Sequence, residues 1–265
     1  MPELPEVETV VQQLQHSILG KKITSVTIHD AQVADNNLEK AVGSKIVTIS
    51  RRGKYILLHL DIKSVILAHL RMTGHFQYYP QKTNSLENYC TAMITFSDKS
   101  VLTHHDLRRF GELSFHSQKD VEKRLSALGP EPLSKQFTVQ QFQKMLSQFP
   151  RSQIKSKLLD QHFIAGIGNI YAQEALYHAG ITPVAKIGEI SLPRQERLYT
   201  QIRRILTLAI EKNGTTVDNY SHLDGKGGFQ NFLAVYQKTS CPQNHPLQFL
   251  KVGGRGTYYC PKCQR

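Results

Sequence analysis

The pattern of apolar residues changes along this chain from short β-rich runs to longer helical segments, and that change constrains the fold more than any other feature. From Ile23 to Phe115 the sequence consists of short runs rich in β-branched residues, such as "ITSVTIHD", "KIVTISRR" and "SVILAHLRM", separated by polar breaks. These runs predict an antiparallel β-sandwich or barrel. Beyond residue 134 the longer segments, such as "SKLLDQHFI" and "NIYAQEALYHAG", are typical of helices instead. The chain is therefore predicted to be a multidomain α+β protein.

One amphipathic helix is predicted before the first strand. Its apolar residues recur at three- and four-residue steps until Gly20, where a helix stop is expected. They are Val7, Val10, Val11, Leu14 and Ile18. The prolines and acids of the opening "MPELPEVETV" fall just before this helix and in its first turn, and by themselves they would suit a proline-stiffened tail. "LGPEPLS" at 128–134 is typical of a linker, and "SHLDGKGGFQ" at 221–230 is typical of a mobile loop.

The charge balance indicates a polyanionic partner. The 265 residues include 33 Lys and Arg against 21 Asp and Glu, a formal net charge of +12. For such an excess, nucleic acid is a more common partner than a membrane surface. We find no apolar run long enough to cross a membrane and no signal peptide before the acidic start. We therefore expect a cytoplasmic protein.

Three of the four cysteines lie in the last 25 residues, which suggests a metal site. Cys260 and Cys263 in "CPKC" have the spacing of a zinc knuckle, and Cys241 supplies a third thiolate at hairpin distance. A four-cysteine ribbon would place its fourth ligand at Asn244, a residue type that rarely binds zinc. His245 follows it, so the sequence favours a Cys₃His zinc site over a degraded or metal-free hairpin.

Arg255 stands among glycines in "KVGGRGTYYC", between the two pairs of candidate ligands. Glycines on both sides would let the backbone and the guanidinium approach a phosphate together. A solvated surface arginine is an equally good interpretation of these residues alone.

Eight motifs, spread over nearly the whole chain and in the same order, resemble those of one family. They are "PELPEVE" at residue 2, "RRGKY" at 51, "HLRMTG" at 69, "DLRRFG" at 106, "LGPEPL" at 128, "IKSKLLDQ" at 154, "GIGNIYAQEAL" at 166 and "GGRGTYYCPKCQ" at 253. The family is that of the bacterial formamidopyrimidine-DNA glycosylases, base-excision enzymes that remove 8-oxoguanine and ring-opened purines.

The resemblance implies three domains and a set of partners. We expect an N-terminal catalytic β-sandwich domain over 1–131 and a helical helix-two-turns-helix DNA-binding domain over 132–223, with a mobile loop to about 235. A zinc-finger hairpin is expected over 236–265. The implied partner is damaged double-stranded DNA, with one structural zinc per chain and no membrane, for a monomer in the bacterial cytosol or nucleoid.

The resemblance gives the opening segment a chemical role. Met1 precedes a small residue and is expected to be removed, which leaves Pro2 as an N-terminal secondary amine. An α-amino group titrates at about 7.7–8.0, well below lysine, so much more of it is free base at neutral pH. This amine can attack the sugar C1′ and form an iminium that permits strand cleavage by elimination. Glu3 would shuttle protons to the ribose, and Glu6 would support the site at the helix start.

Four further residues take roles by resemblance. Lys54 in "RRGKY" would contact phosphate and assist excision, and Lys155 in "IKSKLLDQ" corresponds to the family lysine near the damaged base and its phosphate. Asn169, preceded by "GIG", would donate to a backbone phosphate from the turn of the helix-two-turns-helix module. Arg255 would complete this phosphate clamp.

Met72, Arg108 and Phe110 match the family's trio that fills the void left by a flipped nucleotide. Without the resemblance, a strand methionine and a surface turn would be the more ordinary interpretation. The "DGKGG" loop is expected to close over the everted base.

The predicted function is a bifunctional DNA glycosylase with abasic-site lyase activity on oxidised purines. One alternative is an enzyme with the pyrimidine preference of the endonuclease VIII branch, although "PELPEVE" and "GIGNIYAQEAL" fit the purine-directed branch better. Another is a lesion-binding protein without catalysis, against which the intact Pro2, Glu3 and Lys54 argue.

Overall fold

Strand pairing in the computed structural model follows the β-rich runs of the sequence. The structure describes residues 1–81, 88–215, 223 and 227–265. Between residues 23 and 117 the described residues form two four-stranded antiparallel sheets, in the orders β1-β6-β7-β5 and β2-β3-β4-β8. The strands are Ile23–Ile28 (β1), Ile46–Arg52 (β2), Tyr55–Leu60 (β3), Ser64–His69 (β4), His75–Tyr79 (β5), Cys90–Phe96 (β6), Val101–His105 (β7) and Glu112–Ser117 (β8).

The first helix, α1 (Leu4–Ile18), shares one hydrophobic core with both sheets. Its five predicted apolar residues are each at most 3% exposed. They join a cluster that includes Ile94 from one sheet and Leu58 from the other. Burying apolar side chains of this size stabilises the fold by roughly 1.5–3 kcal/mol each. The α+β fold class, with its N-terminal antiparallel sheets and flanking helix, is confirmed.

Two compact units divide the chain. The first consists of Met1–Ala127 and Asn213–Gly227, and the second consists of Leu128–Lys212 and Gly228–Arg265. The second unit contains four α-helices among its described residues: Val139–Ser147 (α3), Ile154–Leu159 (α4), Asn169–Ala179 (α5) and Leu192–Glu211 (α6). It ends in a two-stranded antiparallel hairpin of Gln248–Val252 (β9) and Arg255–Tyr259 (β10).

Two helices differ from the sequence-based expectation. The helix α2 (Gln118–Leu125) was not predicted; Ser117 caps it by accepting from the backbone N–H of Asp120. The helix predicted over "SKLLDQHFI" is shorter than expected: α4 begins at Ile154 and ends at Leu159. There the carboxylate of Asp160 accepts a hydrogen bond from the backbone N–H of His162, at 3.0 Å. Such a local side-chain bond competes with continued helix.

Half of the mobile loop predicted at 221–230 falls outside the described residues, which include 223 and 227–230 of it. Among the helices that the structure describes, we find no stretch that is both long and apolar enough to cross a membrane.

Two histidines at strand ends are buried and neutral. His69 at the end of β4 is 6% exposed and His104 in β7 is 1% exposed. Burial is the main reason that the pKa of each lies at about 3, and at His69 the charges of Arg71 and Lys54 contribute to this lowering. The pKa of each histidine is lower in the folded state than in the unfolded state. Each histidine therefore contributes to the free energy of unfolding above about pH 6.5, and this contribution is lost as the pH falls.

Acidification should therefore weaken the first unit in a way that depends on these two side chains. When the pH is lowered from 7 to 5, each of the two histidines should reduce the free energy of unfolding by about 2 kcal/mol. His104→Asn keeps an amide that can bond with Thr91, which lies 2.6 Å from the ring of His104. The variant should lose less stability than the wild type over this interval in denaturant titrations. Equal losses in the two proteins would show that His104 is not held neutral.

Candidate active site and metal cluster

The carboxylate of Glu6 organises the N-terminal segment. Glu6 is 2% exposed in the first turn of α1, and one of its oxygens accepts the backbone N–H of Glu3 at 2.8 Å. Its other oxygen accepts from Thr215, from the backbone N–H at 2.8 Å and from the hydroxyl at 2.9 Å. The buried carboxylate therefore fixes the residues around Pro2, which is itself buried, against a segment more than 200 positions away in sequence.

Glycines make this close approach possible. Gly214 has φ +71°, and a Cβ there would lie 2.8 Å from a carboxylate oxygen of Glu6. A Cβ at Gly227 would lie 2.5 Å from the carbonyl oxygen of Gly214. Any other residue at either position would have to displace the backbone or the Glu6 carboxylate.

Lys54 lies in the turn between β2 and β3 and is 8% exposed. The preceding Gly53 has φ +57°, a left-handed conformation that favours glycine. The charge of Lys54 helps to lower the pKa of His69, so the two side chains lie in the same part of the first unit. Lys54 is therefore a largely buried turn lysine, and its contact with phosphate stays a prediction.

The three residues of the predicted void-filling trio lie on two turns of the first unit. Met72 is half-buried between β4 and β5, whereas Arg108 and Phe110 are exposed between β7 and β8. Phe110 is 57% exposed, and the guanidinium of Arg108 stacks 4.9 Å from its ring centre. A large exposed aromatic side chain beside a cation is suited to contact with a partner.

In the second unit, Lys155 connects three elements. It is fully buried in α4, and its Nζ donates to Asn169 Oδ1 at 2.7 Å and to Thr257 Oγ1 at 2.6 Å. Asn169 begins α5 and also donates from Nδ2 to the carbonyl oxygen of Gly256 at 3.1 Å. The predicted phosphate-binding residues Lys155 and Asn169 are thus in direct contact with each other and with strand β10.

Gln173, one turn further along α5, holds the hairpin that carries Arg255. Its Oε1 accepts the backbone N–H of Tyr258 at 2.6 Å, and its Nε2 donates to the carbonyl oxygen of Gly256 at 3.3 Å. The side chain thereby pairs with the strand much as a neighbouring strand would. Arg255 itself is exposed at the hairpin tip, after Gly253 and Gly254 with φ +57° and +73°.

Glu174, like Glu6, is a buried carboxylate that fixes a backbone segment, and the sequence did not indicate this role. It is 1% exposed, and its carboxylate accepts the backbone N–H groups of Ala234, Val235 and Tyr236 at 2.7–3.0 Å. Burial raises the pKa of this carboxyl group, and the three amides act in the opposite direction. Glu174 therefore fixes the chain segment that leads into the C-terminal cluster.

Four predicted ligand residues converge at the hairpin. The ligand atoms of Cys241, His245, Cys260 and Cys263 all lie within 4.8 Å of one another. The Sγ atoms of Cys241 and Cys263 are 3.9 Å apart. Two thiolates bound about 2.3 Å from one tetrahedral ion would be ~3.8 Å apart. The ligand atoms are therefore close enough together for this donor set to hold a metal ion.

The local backbone explains why the fourth member is His245. Asn244 has φ +58° in the left-handed region, and its backbone N–H donates to the carbonyl oxygen of Cys241 at 2.8 Å. This turn directs His245 inward, with Nδ1 at 3.3 Å from Cys263 Sγ.

The thiols influence one another electrostatically. The pKa of Cys241 falls to about 7: burial opposes ionisation, but the backbone N–H groups of residues 245 and 243 stabilise the thiolate. Burial and the neighbouring Cys260 and Cys241 raise the pKa of Cys263 to about 11. A cation at the centre would offset this repulsion between thiolates.

Family models match both parts of the chain. Residues 1–113 match the formamidopyrimidine-DNA glycosylase N-terminal domain, and residues 128–221 match the H2TH domain of the same family. Curated relatives with the description formamidopyrimidine-DNA glycosylase include one from Streptococcus mutans, 37% identical over 275 residues, and one from Carboxydothermus hydrogenoformans, 38% identical over 274 residues. Both alignments cover 100% of this chain and of the relative.

Solved structures give the same result. A Lactococcus lactis Fpg mutant in complex with DNA containing Fapy-dG has a TM-score of 0.93 and 34% identity, with 100% of both chains covered. The MutM (Fpg) protein from Thermus thermophilus has a TM-score of 0.89 and 37% identity, with 99% of this chain and 98% of that chain covered.

Proposed function

The chain belongs to the formamidopyrimidine-DNA glycosylase family of DNA-repair enzymes, and on that premise we propose that it excises oxidised purines from duplex DNA and then cleaves the strand. Its substrates would be 8-oxoguanine and formamidopyrimidines, and it would act as a monomer in the bacterial cytosol and nucleoid. The catalytic domain would span 1–131, the DNA-binding helices 132–223 and the zinc finger 236–265. The observation that carries the proposal is the buried segment at Pro2, held by Glu6 at the start of α1.

The nucleophile in this proposal is the amine of Pro2 after removal of Met1. Its nitrogen bonds to the sugar C1′ while the bond from C1′ to the damaged base breaks, and the base leaves with a proton. Glu3 would supply protons to the opening ribose and remove them from it. The resulting iminium acidifies the neighbouring sugar hydrogens, so the 3′ and then the 5′ phosphate can leave by β,δ-elimination. Lys54 would assist by contacting a phosphate.

The second unit would hold the DNA backbone. Arg255, exposed at the hairpin tip, supports a direct contact with phosphate. Asn169 would donate to phosphate from the start of α5. Lys155 is fully buried and donates to Asn169 and Thr257, so a phosphate would reach it only after a local change that exposes its ammonium group.

The Cys₃His cluster would hold one zinc ion with a structural role. Three thiolates and one imidazole form a donor set typical of structural zinc. We propose Cys241, His245, Cys260 and Cys263 as the ligands, since their atoms converge within 4.8 Å. When bound, the metal would stabilise the short hairpin that presents Arg255.

Borohydride should trap a covalent adduct between Pro2 and an 8-oxoguanine duplex, because the iminium is reducible. Pro2→Gly should lose most of this activity. Glu3→Gln should bind DNA but excise roughly 10²–10⁴ times more slowly, the usual contribution of general acid–base catalysis. Pro5→Ala, at the nearby proline in the first turn of α1, should still form the adduct. Adduct yield is measured on denaturing gels. Trapping at the wild-type rate in Pro2→Gly would identify another amine, such as Lys54 or Lys155, as the nucleophile.

The purified protein should contain about one zinc ion per chain. His245→Ala should release this metal and weaken DNA binding, while leaving the chemistry at Pro2 intact at saturating protein. Asn244→Gly is the matched control, since glycine adopts the left-handed backbone at this position. Metal content is measured by elemental analysis. If His245→Ala kept its metal, His245 would not be a ligand, and Asn244 or water would take its place.

Arg108 should favour lesions opposite cytosine, because its donors match the acceptors on the pairing edge of cytosine, whereas adenine presents a donor there. Arg108→Ala should narrow the cytosine-over-adenine ratio by roughly tenfold, since base-edge contacts are worth about 1–3 kcal/mol. Phe110→Ala should slow excision opposite all bases alike. Single-turnover excision of 8-oxoguanine opposite each of the four bases measures both effects. An unchanged ratio in Arg108→Ala would remove Arg108 from opposite-base reading.

A further inference from the structure

The two turns that carry Met72, Arg108 and Phe110 both cross from one sheet to the other. The turn at 70–74 leads from β4 to β5, and the turn at 106–111 leads from β7 back to β8. Because β4 pairs with β8 and β5 pairs with β7, the topology places these two crossings side by side.

A buried carboxylate connects the two turns. Asp106 is 1% exposed and Thr73 is 5% exposed. The hydroxyl of Thr73 donates to Oδ1 of Asp106 in a short hydrogen bond. The same hydroxyl oxygen accepts the backbone N–H of Arg108 at 3.0 Å, and Asp106 Oδ1 lies 3.2 Å from that N–H. Oδ2 of Asp106 accepts the backbone N–H of Gly111 at 2.6 Å.

In each turn one arginine adopts the left-handed backbone conformation, which usually favours glycine. Arg71 has φ +52° and Arg109 has φ +56°. The backbone N–H of Arg71 donates to His69 Nδ1 at 3.1 Å, and the guanidinium of Arg109 pairs with Asp30 at 2.5 and 2.7 Å. Left-handed non-glycine residues persist only where surrounding contacts hold them. Each void-filling side chain therefore lies beside a backbone position that the fold holds in place.

We propose that Asp106, acting through Thr73, is a positioning residue that aligns Met72, Arg108 and Phe110 as one unit during lesion recognition. The inference rests on the proposed function, in which these three side chains replace the flipped nucleotide. Met72 directly precedes Thr73, and Arg108 contacts Thr73 through its backbone. A shift of one turn is therefore transmitted to the other through a single hydroxyl group. Asp106 itself is buried and has no direct contact with the substrate in this proposal.

The decisive test compares Thr73→Val with Thr73→Ser. Valine has nearly the same shape as threonine but no hydroxyl. It therefore removes the hydrogen bonds between the two turns and leaves the hydrogen bond between Asp106 and Gly111 intact. Serine keeps the hydroxyl. Thr73→Val should slow single-turnover excision of 8-oxoguanine in a duplex by roughly 10- to 100-fold, the loss expected from a small misplacement of recognition groups. It should also narrow the cytosine-over-adenine ratio, as Arg108→Ala does, while Thr73→Ser should keep both properties.

Two readouts separate positioning from general damage. Nicking of a single-stranded oligonucleotide with a preformed abasic site needs Pro2, but a single strand has no base stack in which a void must be filled. Thr73→Val should therefore nick this oligonucleotide at the wild-type rate. Binding to a duplex with a tetrahydrofuran abasic analogue needs no chemistry, and Thr73→Val should weaken it most opposite cytosine. If Thr73→Val does not fold, Asp106→Asn, which keeps the size but loses one acceptor oxygen, takes its place.

The inference is overturned if Thr73→Val excises with the wild-type rate and ratio, or if serine and valine reduce excision equally, because packing would then explain the effect. An equal loss of single-strand nicking would also overturn it. A wild-type protein that binds the tetrahydrofuran duplex but never excises 8-oxoguanine would refute the proposed function instead. In that case the base-dependent binding of Thr73→Val would still decide the role of Asp106.

Discussion

A buried polar side chain must find hydrogen-bond partners, and this constraint fixes three irregular segments near the candidate functional residues. Glu6 satisfies backbone groups of Glu3 and Thr215, and Asp106 satisfies those of Arg108 and Gly111. In the second unit, Glu174 accepts three consecutive amides. Each carboxylate replaces the water that an irregular backbone segment would otherwise need. The segments are thereby fixed without regular secondary structure.

In this arrangement, the side chains that fix the backbone are buried, and the side chains available to a partner are exposed. Arg108, Phe110 and Arg255 are exposed on turns, where side chains can meet a partner. Their backbones are fixed by side chains such as Asp106 and Gln173, which are almost fully buried. A pre-positioned contact loses less conformational freedom on binding than a mobile one, so more of its interaction energy appears as affinity.

The sequence predicted the elements whose pattern is local. The β-rich runs became strands because their apolar residues fill one shared core, and the spacing of Val7 to Ile18 correctly indicated α1. The helix α2 was missed because only Val121 and Leu125 of its eight residues are buried, too few for a periodic signal. The short α4 was misjudged because a side-chain bond of Asp160 ends it.

The site could be predicted only in part, for a similar reason. Motifs indicated Pro2 and the cysteines, whose chemistry is visible in residue type and spacing. Glu6 was predicted to support the site, but the roles of Asp106 in "DLRRFG" and of Glu174 in "GIGNIYAQEAL" were not recognised. Thr73 lies 33 positions from Asp106 in sequence, and the backbone N–H groups that Glu174 accepts lie at least 60 positions from it. No local pattern reports a contact between residues so far apart, so these roles required the folded chain.

The contact between Asp106 and Gly111 also restricts how such a chain can evolve. A Cβ at position 111 would lie 2.8 Å from Oδ2 of Asp106, closer than such atoms can approach. Alanine at this position would therefore displace the carboxylate, and the displaced carboxylate would release Thr73. A smaller side chain at 106 would make room for alanine but would remove the acceptor that both turns use. The effects of substitutions at the two positions are thus expected to be non-additive, because the two residues share one contact.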